Sequence, residues 1–323
     1  MSPSPASKWK WIKRAFFAVG AVTVLAAGYL LQDAWVPLGN TPTTEELARY
    51  SQSPAFRGDH FENLLPTNQP QLRPIISAYW NTHAVGAPTA PLPSVFRKKE
   101  EFTNPDLRVT WLGHSTLLVE IDGKRVLTDP VWGERTSPLT HFGPERFHPP
   151  PLPWDELPSL DAIVISHDHY DHLDAPTIAR LRDSSVRFVV PLGIGNHLEY
   201  WGIPRSRITE LDWWQNVHIG DLEIVSTPAR HFSGRGVARD KTLWTGFALI
   251  GPRHRVYYSG DTSMFPGFRA IGERLGPFDL TMIEAGAYNS LWADVHLGPE
   301  QAVDAHVLVR GKRLIPVHWG TFN

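Results

Sequence analysis

At 323 residues the chain is long enough to bury a substantial core, as one large domain or two small ones. Its formal net charge is −2, with Lys+Arg 31 against Asp+Glu 33, so no global field draws it toward nucleic acid. It has no cysteine, which excludes thiol nucleophiles, disulfides and thiolate ligands and leaves any metal site to histidine and carboxylate.

Residues 1–36 read as a signal-anchor or a signal peptide. Lys8, Lys10, Lys13 and Arg14 precede 17 uncharged, mostly apolar residues, Ala15 to Leu31. At ~1.5 Å per residue such a run just spans a bilayer's hydrocarbon core. Trp9, Trp11, Tyr29 and Trp35 flank it as interfacial anchors would. The basic flank should stay cytoplasmic, which puts the rest of the chain on the periplasmic or extracytoplasmic side. A cleaved signal is the competing reading, because Ala26-Ala27-Gly28 offers small residues for processing, although the apolar run is long for one. Both readings export the body.

Residues 37–107, rich in Pro, Asn, Thr and Ser, read as an irregular N-terminal extension with a short helix beginning at Thr43-Thr44 before Glu45-Glu46. From Arg108 the texture changes, and 108–323 reads as one catalytic domain. RVTWL, STLLVEI and KRVLTD are strand-like, and Asp122-Gly123 marks a hairpin. DAIVIS at 161–166 is nearly all apolar, so a strand covered on both faces is expected. Asp174 should cap a helix with Pro176 in its first turn, running to about Asp183. Further strands are expected at about 187–190, 222–227, 243–250, 255–259, 279–283 and 314–317, and helices near 193–200, 266–275 and 299–309. Strands interleaved with helices imply a layered α/β architecture.

The chemistry concentrates in SHDHYDH. His167 and His169, one residue apart in extended chain, can aim their rings to one side. Asp171 and His172 follow, where the turn into the helix aims them elsewhere. Four ligand-type residues so close suit two adjacent metals better than one tetrahedral ion. His231 follows the strand LEIVST, Asp261 follows VYYS, and His318 ends the last strand. Singly each is more often structural; together they occupy matched strand ends, where sites gather in layered α/β sheets.

HDHYDH fits the HxHxDH signature of the metallo-β-lactamase fold superfamily. More narrowly, TWLGHST, LTDPVW, SPL with GPERF, VPLG, ELDWW, LWTGFALIGP, SGDT, GPFDL, GAYN, HLGPEQAV and HWGTF, in order over about residues 108–322, resemble N-acyl-phosphatidylethanolamine-hydrolysing phospholipase D and its bacterial relatives. The resemblance implies a four-layer αββα sandwich with the metals at one edge of its sheets. It implies two zinc ions: one on His167, His169 and His231, one on Asp171, His172 and His318, with Asp261 bridging. Such ligands also suit iron or manganese. The implied reaction is attack on a phosphodiester by a water bridging the two ions, with Asp171 and His296 in catalytic roles and a membrane phospholipid as substrate.

Around this set the residues leave alternatives open. Asp129 is either the partner that orients a ligand imidazole or a strand-end turn residue. His114 is a donor beside the ligands, a substrate contact or a structural histidine. His296 resembles the family's substrate-side histidine, a phosphate contact or proton donor. Arg235 is a candidate phosphate contact or a solvated turn arginine. Trp213-Trp214 read as packing. The 37–107 stretch is a candidate wall of a lipid-facing entrance. A lactonase or sugar-phosphate hydrolase is the alternative activity, and a non-catalytic, metal-stabilised envelope protein a remote one. Two features depart from the family pattern. The chain ends five residues after His318, which bears on the cover of the last strand and on an expected homodimer contact. Glu284 stands where an apolar residue or proline is usual. Beside the metals it would oppose an anionic phosphate; facing solvent it would mean little.

Overall fold

The computed structural model describes residues 5–69, 77, 88–90, 92–103, 106–236, 238–287 and 289–322. Helix α1 (Pro5–Trp35) leaves Phe16, Phe17, Val24, Leu25 and Leu31 exposed, and its stretch Lys13–Trp35 is long and apolar enough to cross a membrane. Helix α2 (Thr44–Tyr50) starts at a capping box in which Thr43 and Glu46 satisfy each other's backbone N–H. A two-residue hairpin follows, β1 (Phe56–Arg57) with β2 (His60–Phe61). Tyr50, Phe56 and Phe61 pack on Trp213, Leu243 and Trp244, so the extension docks on the body through an aromatic cluster of which buried Trp213 is part. Much of the rest of 37–107, from 70 to 91, lies largely outside the described residues.

The body is two six-stranded sheets. The first holds, in spatial order, β3 (Leu107–Trp111), β4 (Leu117–Ile121), β5 (Lys124–Thr128), β6 (Ala162–Val164), β7 (Arg187–Pro191) and β8 (Ile208–Leu211). The second holds β9 (Asn216–Ile219), β10 (Leu222–Thr227), β11 (Gly246–Ile250), β12 (Arg255–Tyr258), β13 (Leu280–Glu284) and β14 (Leu314–Val317). Asp122 and Gly123 close the β4–β5 hairpin at φ 47° and 85°, the double positive φ that a two-residue turn of matching twist requires.

Side-chain alternation builds the layers. On β6, Ala162 and Val164 point between the sheets, into a core with Val119, Val126, Phe247, Leu249 and Tyr258. Ile163 points the other way, as does Ile165 just beyond the strand, under α3 (Ala175–Ala179) and α4 (Ile194–Tyr200). The second sheet's outer face is covered by α5 (Gly267–Leu275) and α6 (Pro299–Leu308) through Phe268, Ile271, Ala302 and Ala305. The chain is therefore an αββα sandwich, and its strand DAIVIS is covered on both faces.

β5 to β8 run parallel, as do β12 to β14, so their C-terminal ends meet along one edge. The opposite edge carries the turns around Asp122 and Arg253, which hydrogen-bond to each other. Three local expectations differ. Helix α3 stops at Ala179, not near Asp183. Turn bonds follow there, and Arg207 draws off the carbonyls of Leu181, Arg182 and Val186. β11 starts at Gly246, not 243, because Leu243 N and Thr245 N donate across to Leu192 O and Ser166 O of the other half. β8 and β9 went unread, being short, partly polar and at sheet edges.

Candidate metal centre

All seven residues of the proposed ligand set meet at that edge. His167 Nε2 lies 2.9 Å from His169 Nδ1, which lies 3.2 Å from His231 Nε2, making a first, all-histidine lobe. In the second, Asp171 Oδ2 is 3.6 Å from His172 Nε2 and 3.4 Å from His318 Nε2. Asp261 Oδ2 sits between them: 3.9 Å from His167 and 3.8 Å from His231 on one side, 3.2 Å from His172 and 3.0 Å from His318 on the other. The turn between His169 and Asp171 splits the loop, since His172 N and Leu173 N both fold back on His169 O.

The donor set fits cations. Among the described residues the ion-pair partners of Asp171 and Asp261 are all histidines. His172 Nε2, Asp261 Oδ1 and both ring nitrogens of His318 are buried without a hydrogen-bond partner among the described residues. Burial works against charging His172, but Asp261 and Asp171 overcome it and hold its pKa well above the ordinary value. The same opposition carries His318 to about 10. Burial would likewise raise Asp261, yet His172 and His318 hold it far below the carboxylate range. In the metal-free chain, protons occupy positions where the carboxylates call for positive charge.

Neighbouring groups fix which nitrogen faces inward. Asp129, fully buried, accepts from Ser166 N (2.7 Å), Ser166 Oγ (2.6 Å), His172 Nδ1 (2.6 Å) and Tyr258 OH. It fixes the His172 ring by Nδ1 and turns Nε2 toward Asp261. Val295 O takes the Nδ1 proton of His231 at 2.7 Å to the same effect. His114, Asp129 and His318 hold φ of 53°, 34° and 65°, uncommon for non-glycine residues and clustered at the site. His114 Nε2 is 2.9 Å from Asp171 Oδ2, and burial, then His318, pull its pKa down to about 3, so it is a neutral donor to that carboxylate.

Arg235 is not available to a phosphate. It is buried, with Nη1 donating to Asp168 O and Leu173 O (2.7 Å each) and Nε to Pro37 O (2.8 Å). Its guanidinium stacks over Tyr170. It braces the ligand loop from behind, because a buried guanidinium needs acceptors and the loop's carbonyls supply them. Glu284 does face the site. Fully buried, it accepts through Oε1 from Thr262 N and Leu297 N, and through Oε2 from His296 Nδ1 at 2.9 Å. Burial first, then Asp261, raise its pKa against the pull of His296. His296, 3.9 Å from Asp261 Oδ2, is thereby fixed beside the cluster. Sequence reasoning missed the roles of Ser166 and Tyr258, whose one signal is position: one precedes His167, the other ends the strand before Asp261.

A cleft of about 380 Å³ opens over His169, Asp171 and His318, walled by His114, Thr136, Pro144, Tyr170, Ala287 and Phe322. None of these is a described residue of 37–107. Within that stretch Asn63 lies behind the first lobe, where it exchanges hydrogen bonds with the backbone of His231.

A histidine–carboxylate cluster beneath a cleft, at the edge of an αββα sandwich, defines a metal-dependent hydrolase. Residues 124–319 match the beta-lactamase superfamily domain, and the chain belongs to that family. An uncharacterised protein of Mycobacterium tuberculosis is 45% identical over 97% of this chain and 87% of its own length. The N-acyl-phosphatidylethanolamine-hydrolyzing phospholipase D 1 of Caenorhabditis elegans is 41% identical over 67% of this chain and 64% of that protein. Among solved structures, a metallo hydrolase from the hyperthermophilic archaeon Ignicoccus hospitalis matches with TM-score 0.51 and 26% identity, covering 66% of this chain and 83% of that one.

Proposed function

We propose that the chain is a dinuclear zinc phosphodiesterase of phospholipase D type, cleaving N-acyl-phosphatidylethanolamine or a similar phospholipid to a phosphatidic acid and an N-acylethanolamine. The observation that carries it is Asp261 Oδ2 placed between a three-histidine lobe and an Asp171–His172–His318 lobe, under a cleft walled in part by Pro144, Tyr170, Ala287 and Phe322. The likeness to the nematode phospholipase supports the substrate class. Zinc ions held there would supply Lewis acidity and a water made nucleophilic near neutral pH. The chain's own residues do the rest. Asp171, the more open carboxylate of the set, accepts from His114 and orients a nucleophile at the cleft floor. As phosphate contact or proton donor His296 must carry a proton on Nε2 as well as the Nδ1–H it gives to Glu284, and that carboxylate supports the cation. Helix α1 holds the enzyme in a membrane with its basic end cytoplasmic and the sandwich on the other side.

The test is hydrolysis of N-acyl-phosphatidylethanolamine by the purified full chain, with and without added zinc. We expect zinc-dependent release of N-acylethanolamine, abolished in a His169→Ala, Asp171→Ala double variant. Turnover of lactones or sugar phosphates in preference to the lipid would move the assignment to those hydrolases. Two bound metals without turnover of any of these substrates would leave only a structural role.

A further inference from the structure

Helix α1 is joined to the body by more than its peptide bond. Asp33, in its last turn, accepts from Thr140 N (2.8 Å) and Thr140 Oγ1 (2.6 Å). Beyond the helix, Val36 O accepts from Trp201 Nε1 (2.8 Å), Pro37 O from Arg235 Nε (2.8 Å), and Asn40 N donates to His197 Nδ1 (3.0 Å). Gly39 lies at φ 76°, and a Cβ there would stand 2.2 Å from His197 Nδ1, so only glycine lets the chain run this close. A flexible linker makes no such contacts.

Two routes lead from this strap to the site. Arg235 also holds Asp168 O and Leu173 O, carbonyls within and just beyond the ligand loop, so helix end and metal loop share one joint. Thr140 belongs to a loop closed by Thr136 N donating to Pro144 O at 3.1 Å, and both closing residues wall the cleft. On that loop Phe142 is 61% exposed, and Trp35 and Val36 at the helix end are exposed too. With Ala15–Leu31 in hydrocarbon, Asp33 lies two residues past it, roughly 3 Å along the axis at helical rise. Thr140, bonded to Asp33, is then at headgroup level too.

We propose that Asp33–Asn40 form a rigid mount that holds the 137–143 loop against the bilayer surface and so opens the metal cleft toward lipid headgroups of the leaflet the helix leaves. The proposal rests on the membrane reading of α1 given above. The partner is the interfacial layer of a phospholipid bilayer, into which Phe142 inserts as an apolar side chain reaching roughly 5–10 Å deep can.

The chain's lack of cysteine makes the test direct. Full-length Phe142→Cys and Arg253→Cys carry an environment-sensitive fluorophore in phosphatidylethanolamine–phosphatidylglycerol vesicles containing brominated lipid. Arg253 marks the sandwich edge away from the metals. We expect quenching severalfold stronger at 142 than at 253. A Gly-Ser insertion between Leu31 and Gln32, which leaves the strap intact, should bring 142 down to the level of 253. The insertion should also lower turnover of lipid in the same vesicles while sparing a short-chain soluble diester. A chain released from membranes by alkaline carbonate would overturn both the anchor and the mount. A chain that stays embedded but shows equal quenching at the two positions, or no response to the insertion, overturns the mount alone. Absence of lipid turnover with the quenching pattern intact would refute the substrate and leave the mount standing.

Discussion

Asp129→Asn tests whether the site depends on a single buried acceptor. Asp129 Oδ2 receives three donors, from Ser166, His172 and Tyr258, while Oδ1 receives Ser166 N. Asparagine keeps one oxygen and must point an amide NH₂ at donors. The serine and tyrosine hydroxyls can rotate to accept it. His172 can accept it only by moving its proton from Nδ1 to Nε2, the nitrogen that faces Asp261 at 3.2 Å. The ligand would then present N–H to the metal. Loss of such an orienting partner typically costs ~10–100-fold in metal affinity. Each charge-assisted bond weakened costs about 1.5–3 kcal/mol of stability. Chelator-competition titration of the full chain should give near-normal affinity for the His167–His169–His231 lobe and a ~10–100-fold weaker second event. Binding of both metals as in the wild type, with unchanged denaturation midpoint, would refute the tautomer argument.

The metal-free chain should be pH-sensitive in a stated direction. The folded pKa of His318, about 10, lies above its unfolded value, so its stabilising contribution is complete below the unfolded value near 6.5 and lost as pH rises through about 10. Chelated protein should therefore lose stability between roughly pH 7 and 10, while metal, displacing that proton, binds up to ~10-fold tighter per pH unit for each proton released. A flat affinity profile over that window would contradict this. Arg235→Lys leaves buried carbonyls among Pro37, Asp168 and Leu173 unpaired and should destabilise by about 2–5 kcal/mol, at ~1–3 for each group left unsatisfied. A change under ~1 kcal/mol would mean those bonds are replaceable. Glu284→Gln keeps the contacts to Thr262 N and Leu297 N but turns NH₂ toward His296 Nδ1, so that nitrogen must accept and the ring can no longer be protonated on both nitrogens. We expect kcat to fall by ~10–100-fold with KM little changed, within what displaced proton transfer costs. An unchanged kcat and pH profile would remove His296 from the proton path.

That the seven candidate ligands would cluster was legible because the signal is local and doubled. HDHYDH puts four ligand types on one turn after an apolar strand, and the remaining three each follow a strand of their own. Parallel strands bring such ends to one edge without further information. The layers were legible because DAIVIS is apolar on both parities and so needs cover on both faces, and the structure sends Ala162 and Val164 to one face and Ile163 to the other. Arg235 was misread because nearness to His231 in sequence says nothing about which side of the loop a long side chain takes. Its direction is set by Tyr170, Trp201 and three carbonyls from distant segments. Glu284 was undecidable for the converse reason: strand parity gives two faces, and only Thr262 N and Leu297 N, brought in by folding, make the inner one habitable for a carboxylate. Helix α3 was read too long because the chain after Ala179 tightens into three-residue turn bonds, Arg180 N to Thr177 O and Leu181 N to Ile178 O, and Arg207 from a distant segment holds the turn that follows.

The position of Arg235 also explains why anchor and chemistry need not be separable modules. Its Nε ends on the strap, and its Nη1 ends on backbone within and just beyond the ligand loop. A displacement of Pro37 that breaks the first bond leaves a buried cation short of an acceptor, and the cheapest repair is a shift of the loop that carries His169 and Asp171. The 137–143 loop is coupled differently. It meets the helix through Asp33 and the cleft through Thr136 and Pro144, with no bond among the described residues to a candidate metal ligand in its path. Loosening the strap should therefore act on the metals through the floor of the site, and loosening Thr140 should act on substrate access through its rim. The two effects separate in experiment because one changes metal affinity in detergent, where there is no bilayer, and the other changes turnover only where there is one.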